Sequence, residues 1–200
     1  MAALTFSGAV LAGGRSTRMG RDKASLLVHG ELLLLRQLRL LAEAGCSDRL
    51  VSSGTTAPGP ALVLVPDEVR IVADGSADAG PLAGLERVLN EAWHELVLVL
   101  AVDLPALDAG FLRTLLADAR PGVGVVPSRD GQHEPLVAVY PRAAVAEALA
   151  RLGRGEFALR PFVRAGIAAG WLRERPVAAD EDRFFTHWNR PEDLPTAHPR

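Results

Sequence analysis

Val10-Leu11-Ala12-Gly13-Gly14-Arg15-Ser16-Thr17-Arg18-Met19-Gly20-Arg21-Asp22-Lys23 is the stretch on which the reading of this chain turns. It follows an apolar run, Leu4 to Val10, whose pattern predicts a buried strand. The paired glycines let the backbone turn sharply and approach a ligand with no Cβ in the way. Gly20 closes the loop, and Arg15, Arg18, Arg21 and Lys23 place four cations in it. Such a unit suits a phosphorylated ligand: amide N–H groups are fixed donors, and the cations neutralise oxygens. The alternative is a glycine turn carrying solvated arginines.

Two common phosphate loops do not fit. The dinucleotide fingerprint needs G-x-G-x-x-G, which glycines at 13, 14 and 20 do not supply. Walker A needs G-x-x-x-x-G-K-[ST], but five residues separate Gly14 from Gly20 and Arg21 follows. The pattern L-A-G-G-x-S-x-R-M-G-x-D-K instead resembles the signature loop of nucleotidyltransferases that release pyrophosphate from a nucleoside triphosphate. Lys23 is the only lysine; the other 21 of 22 cationic residues are arginines. A compact ammonium on a flexible stem grips one or two phosphate oxygens where a planar guanidinium is too broad.

Bulk properties set the frame. Two hundred residues, 48% apolar and 23% charged, suit one large domain over 1–200 with a sizeable core, or less well two small ones. A net charge of −2 gives no overall attraction to nucleic acid or anionic membrane. The single cysteine, Cys46, excludes an internal disulfide and fits a reduced, cytoplasmic setting. No basic region precedes the first apolar run, so no signal peptide is expected. Leu96 to Val102 is too short to span a bilayer.

Along the chain, leucines at 34, 35, 38 and 41 predict a helix over 32–44, with Gly45 as its C-terminal cap. Strands are expected at Arg49–Ser53 and Ala61–Val65, and an irregular polar segment at Val69–Ala79. A helix follows Gly80-Pro81-Leu82-Ala83-Gly84. Glu95–Val102 reads as a strand buried on both faces, and Asp108 as the N-cap of a helix reaching Asp118. Val123–Val126 and Glu134–Tyr140 are strands around an Asp130-Gly131 turn. Helices at 142–152 and 158–165 and a strand at Trp171–Val177 complete the pattern. Alternating strands and helices argue a largely parallel sheet.

Ligands of open α/β sheets bind beyond the carboxyl ends of the strands. The basic loop, Asp74 and Asp103 are expected there. An aspartate closing an apolar strand is costly to desolvate without a partner, and Mg²⁺ is a natural one. The alternative for Asp103 is a turn role ahead of Pro105. The expected reaction is in-line attack on the α-phosphorus of a nucleoside triphosphate held over Gly13 and Gly14. Arg18 and Lys23 would offset charge on departing pyrophosphate. A phosphate acceptor needs no general base. All five histidines read as structural or surface residues, and Asp180-Glu181-Asp182 as a solvated acidic turn.

Five segments in order carry a narrower resemblance: Leu11 to Lys23, Gly80 to Gly84, Asp103-Leu104-Pro105, Glu134 to Tyr140, and Asn189-Arg190-Pro191-Glu192-Asp193-Leu194. Together they resemble the molybdenum cofactor guanylyltransferase family over nearly the whole chain. The resemblance implies a Rossmann-like three-layer domain that joins the GMP part of GTP to Mo-molybdopterin and releases pyrophosphate. It implies GTP contacts from Leu11, Ala12, Gly13, Gly14, Lys23, Asp74 and Asp103, with Mg²⁺ on Asp103. It also implies transient contact with molybdenum-insertion proteins and apo-molybdoenzymes. The chain departs from the family at Ser52-Ser53-Gly54, where an asparagine often helps hold guanine, and at His187-Trp188-Asn189, where one of two asparagines remains. The spacing before Gly80 leaves Asp78 as the alternative to Asp74. Gly153 to Arg160 corresponds to a basic stretch placed with the pterin acceptor, or is a glycine turn at a helix start. The rivals are a molybdopterin cytidylyltransferase or another phosphate nucleotidyltransferase, a nucleotide-binding partner protein without turnover, and a dinucleotide-dependent oxidoreductase.

Overall fold

The computed structural model describes residues 4–12, 23–28, 30–54, 60–73 and 80–186. The elements run β1 (Ser7–Leu11), β2 (Leu27–Val28), β3 (Glu31–Leu32), α1 (Leu33–Glu43), β4 (Asp48–Ser52), β5 (Val69–Val72) and α2 (Gly80–Glu91). They continue with β6 (Leu96–Ala101), α3 (Ala109–Asp118), β7 (Gly124–Arg129), β8 (Gln132–His133), β9 (Val137–Pro141), α4 (Val145–Gly153), α5 (Leu159–Ala168) and β10 (Leu172–Pro176). The main sheet has the order β10-β7-β9-β6-β1-β4-β5, with β8 paired to β7. Pairing is parallel from β5 through β4 and β1 to β6, and again between β7 and β10. β9 alone runs antiparallel to both neighbours in the middle of the sheet. The result is a mostly parallel mixed sheet.

Both faces of this sheet are covered, which is why its central strands are apolar throughout. Leu96, Leu98 and Leu100 of β6 pack with α1 and α3, while Val97 and Val99 pack with α2, α4 and α5. β1 divides likewise, with Val10 on the first side and Ala9 and Leu11 on the second. Gly8 lets α1 lie close to β1. A Cβ there would stand 2.8 Å from both Cys46 Sγ and Leu41 Cδ2. The helix ends where Gly45 takes φ +96°, with Gly45 N–H donating to Ala42 O and Cys46 N–H to Leu41 O. That is a Schellman cap. Asp108 caps α3 by accepting from Phe111 N–H at 2.8 Å, as its position predicts.

One strand lies elsewhere than expected. Pro60–Leu64 is a 3₁₀ turn, not a strand: Ala61 and Leu62 are buried while Val63 and Leu64 are exposed. Adjacent residues share a face in such a turn, whereas a strand would alternate them. The strand is β5, in the segment expected to be irregular. It lies at the sheet edge, paired only with β4, so Arg70 and Ile71 are left partly uncovered between buried Val69 and Val72.

The acidic turn is exposed at Asp180 and Asp182, as expected, but it is also tied down by arginines. Arg175 holds Glu181 through two 2.8 Å bonds, and Arg129 reaches Asp182 at 3.1 Å. Phe184 and Phe185 then enter the core against Phe111, with ring centroids 4.9 and 5.6 Å away. Among the described residues no helix is long and apolar enough to cross a membrane.

Candidate active site

The central strands end in register. Leu11 pairs across with Ser52 of β4 on one side and Ala101 of β6 on the other. Ala12 extends this edge by donating its N–H to Ser52 O at 2.9 Å. The chain runs outward from β1 to β4 and β5, then returns to place β6 on the opposite side of β1. The boundary between β1 and β6 is therefore a topological switch point, where the strand ends leave a crevice. Leu11, Ala12 and Asp103 converge on it.

Asp103 lies two residues beyond Ala101, half-buried after a strand whose six residues are all buried. Lys23 opens the 3₁₀ turn Lys23–Ser25. That turn is followed by the β2–β3 hairpin and by Leu33, whose N–H donates to Leu26 O at 2.8 Å. Gly13, Gly14, Arg18, the Lys23 ammonium and Asp74, with its alternative Asp78, lie outside the described residues. So does the Asn189 segment.

Because β9 is reversed, its start lies at the same sheet edge as the end of β6. Leu136 O accepts from Ala101 N–H there. The phenol of Tyr140, fully buried inside the sheet layer, donates to Pro135 O at 2.7 Å. Burial pushes this phenol well above its ordinary pKa, so it remains a neutral donor. Glu134 takes an ion pair from Arg129 at 3.3 Å. The strand expected at Glu134–Tyr140 is β9, Val137–Pro141, and Glu134 to Leu136 form a turn at its entry that is pinned from within.

The basic stretch near Gly153 has a structural occupation. Gly155, at φ +74°, ends α4 rather than starting a helix, and Arg151 and Arg154 both bind Glu156 at 2.8 Å. His94 bonds Ser47 and His133 faces Glu174, both consistent with structural roles. Cys46 is buried, and burial pushes its thiol up to about 12, so it is inert as a nucleophile. Among the described residues no three His, Cys, Asp or Glu side chains cluster as a metal cage. Among the described residues this crevice has the carboxylate of Asp103, the kind of hard ligand that would suit Mg²⁺ bound largely through water and phosphates.

Sequence reasoning passed over Arg36 and Gln37. Gln37 is wholly buried and donates to Leu104 O at 2.9 Å, while Arg36 donates to Pro105 O and Leu107 O at 3.0 and 3.2 Å. The legible signal was a glutamine inside the leucine stripe of α1.

This sheet order, with a glycine-rich loop after the central strand and an aspartate after its neighbour, defines an α/β nucleotidyltransferase. Solved structures agree on the fold. A nucleotidyl transferase from Methanothermobacter thermautotroptrophicus superposes with a TM-score of 0.77 over 94% of each chain at 21% identity. Molybdopterin-guanine dinucleotide biosynthesis protein A from Archaeoglobus fulgidus does so at 0.70, also over 94% of each chain and 21% identical. Residues 8–171 match the MobA-like NTP transferase domain, and the chain belongs to that family. A probable molybdenum cofactor guanylyltransferase from Opitutus terrae is 39% identical, covering 96% of this chain and 94% of its own length. A molybdenum cofactor guanylyltransferase from Xanthomonas euvesicatoria is 36% identical, covering 94% and 91%.

Proposed function

We propose that this chain transfers the GMP moiety of GTP to Mo-molybdopterin, forming molybdopterin guanine dinucleotide and releasing pyrophosphate. The observation that carries the reading is the aligned edge Ser52–Leu11–Ala101, which brings the start of the glycine loop and Asp103 to one switch-point crevice. Near-full-length relatives bearing the guanylyltransferase name support the choice of base and acceptor.

In this reading the amides from Leu11 and Ala12 through Gly13 and Gly14 hold the triphosphate. Arg18 and Lys23 offset the negative charge that gathers as pyrophosphate leaves. Asp103 would hold Mg²⁺, and Asp74 would contact GTP. When bound, Mg²⁺ would supply positive charge that offsets the negative charge of the reacting phosphates. The chain's contribution is positioning and electrostatics. A phosphate monoester acceptor is already a nucleophile, in accord with the structural roles of His94 and His133.

The 200 residues act as one nucleotidyltransferase domain in the cytoplasm, in transient contact with molybdenum-insertion proteins and apo-molybdoenzymes. The deciding experiment is turnover of GTP and CTP with molybdopterin, in wild type and Asp103→Asn. Guanylyl product from the wild type and loss of Mg²⁺-dependent turnover in a folded Asp103→Asn are expected. Preferred use of CTP would transfer the assignment to a cytidylyltransferase, consistent with Ser52 in place of an asparagine. Full activity in Asp103→Asn would leave that residue a turn former.

A further inference from the structure

Gln37 is a polar side chain where stability calls for an apolar one. It sits on the inner face of α1 among Leu33, Leu34, Leu38 and Leu41, with no exposure. Its amide nitrogen binds Leu104 O at 2.9 Å, while its Oε1 has no hydrogen-bond partner among the described residues. A leucine would avoid burying that amide. What the glutamine achieves is a fixed distance between α1 and the residue after Asp103.

Arg36 acts on the same loop. Its Nε and Nη2 reach Pro105 O and Leu107 O, so two adjacent side chains engage three carbonyls within five residues of Asp103. One turn earlier, the N-terminal end of α1 is tied to the segment after Lys23, Leu33 N–H donating to Leu26 O. One rigid helix therefore connects the close of the basic loop to the loop carrying Asp103.

We infer that Arg36 and Gln37 are positioning residues that set the Asp103 carboxylate relative to the triphosphate site, and thereby the affinity for the divalent cation. Neither touches substrate. Both act through the backbone of Leu104, Pro105 and Leu107, much as outer-shell groups orient metal ligands in general. The inference rests on the proposed role of Asp103.

The test is Mn²⁺ uptake by the GTP-saturated protein, read from the electron paramagnetic resonance of free Mn²⁺, with competition by Mg²⁺. Arg36→Met and Gln37→Met should each weaken cation affinity about tenfold, the lower range for lost outer-shell contacts. GTP affinity in EDTA should stay at the wild-type value. Arg36→Lys, which retains one donor, should fall between. Arg39→Met is the control, because Arg39 lies on the same helix but pairs with Glu31 and Glu43 at the surface. With molybdopterin present, turnover of the Met variants should recover at high Mg²⁺. Unaltered Mn²⁺ affinity in folded Arg36→Met would overturn the inference, and this half-exposed position decides the matter even if Gln37→Met does not fold. If Asp103→Asn keeps full Mn²⁺ uptake, the reading of Asp103 fails first and this inference with it.

Discussion

The lone lysine of the chain closes its most informative loop, and the chemistry of that side chain makes a sharp prediction. Lys23→Arg conserves charge but replaces a compact ammonium with a broad fork. Turnover should fall at least tenfold, about 1.4 kcal/mol of transition-state stabilisation. Steady-state rates at saturating GTP check it, and a wild-type rate would remove the reading. A second single-residue prediction concerns Asp48, buried at the start of β4. Burial opposes its charge, but bonds from Ser7 Oγ, Trp93 N–H and the Arg70 guanidinium outweigh it and hold the carboxyl below the usual range. Its unfolded pKa is about 3.9, so the stabilisation is complete above that value and is lost as pH falls through the lower folded pKa. Urea unfolding from pH 6 to 3 should show this loss in the wild type, and Asp48→Asn should be less stable at pH 6 with a flatter acid limb.

At the scale of elements, the docking of α1 on β1 depends on Gly8. Gly8→Ala inserts a methyl 2.8 Å from Leu41 Cδ2 and Cys46 Sγ. Overpacking of this kind costs about 1–3 kcal/mol, measurable as a lower denaturation midpoint with an unchanged m-value. A neutral result would mean that α1 can slide outward, which would also loosen the Leu104 contacts. The helices were readable because their periodicity is strong and their caps are local. Gly45 and Asp108 act within one turn of their own backbone, so their sequence signals survive folding. β5 was not readable, because an edge strand buries residues by its place in the sheet. Val69 and Val72 are covered while Ile71 remains half-exposed, a pattern with no clean period.

For the whole molecule, the proposed reading predicts selective stabilisation. Mg-GTP at a hundred times its dissociation constant should stabilise the fold by about 2.7 kcal/mol, visible in a thermal-shift assay, while Mg-CTP should not. A shift with CTP alone would change the assigned base. The apolar strand before Asp103 and the alternation of strands and helices were enough to define an α/β domain, and the resemblance of the loop from Val10 to Lys23 pointed to a nucleotidyltransferase, because each is a local pattern. What the chain alone could not reveal is where distant pieces meet. The reversal of β9 depends on strand partners, and the entry of Phe184 and Phe185 into the core depends on Phe111, more than seventy residues earlier in the chain. Gln37 and Leu104 lie 67 positions apart, and only the packing of α1 against the end of β6 makes the glutamine a strut for Asp103. Local backbone preference and hydrophobic period are written along the chain; register, burial and the contacts of a buried polar group arise only when the layers close.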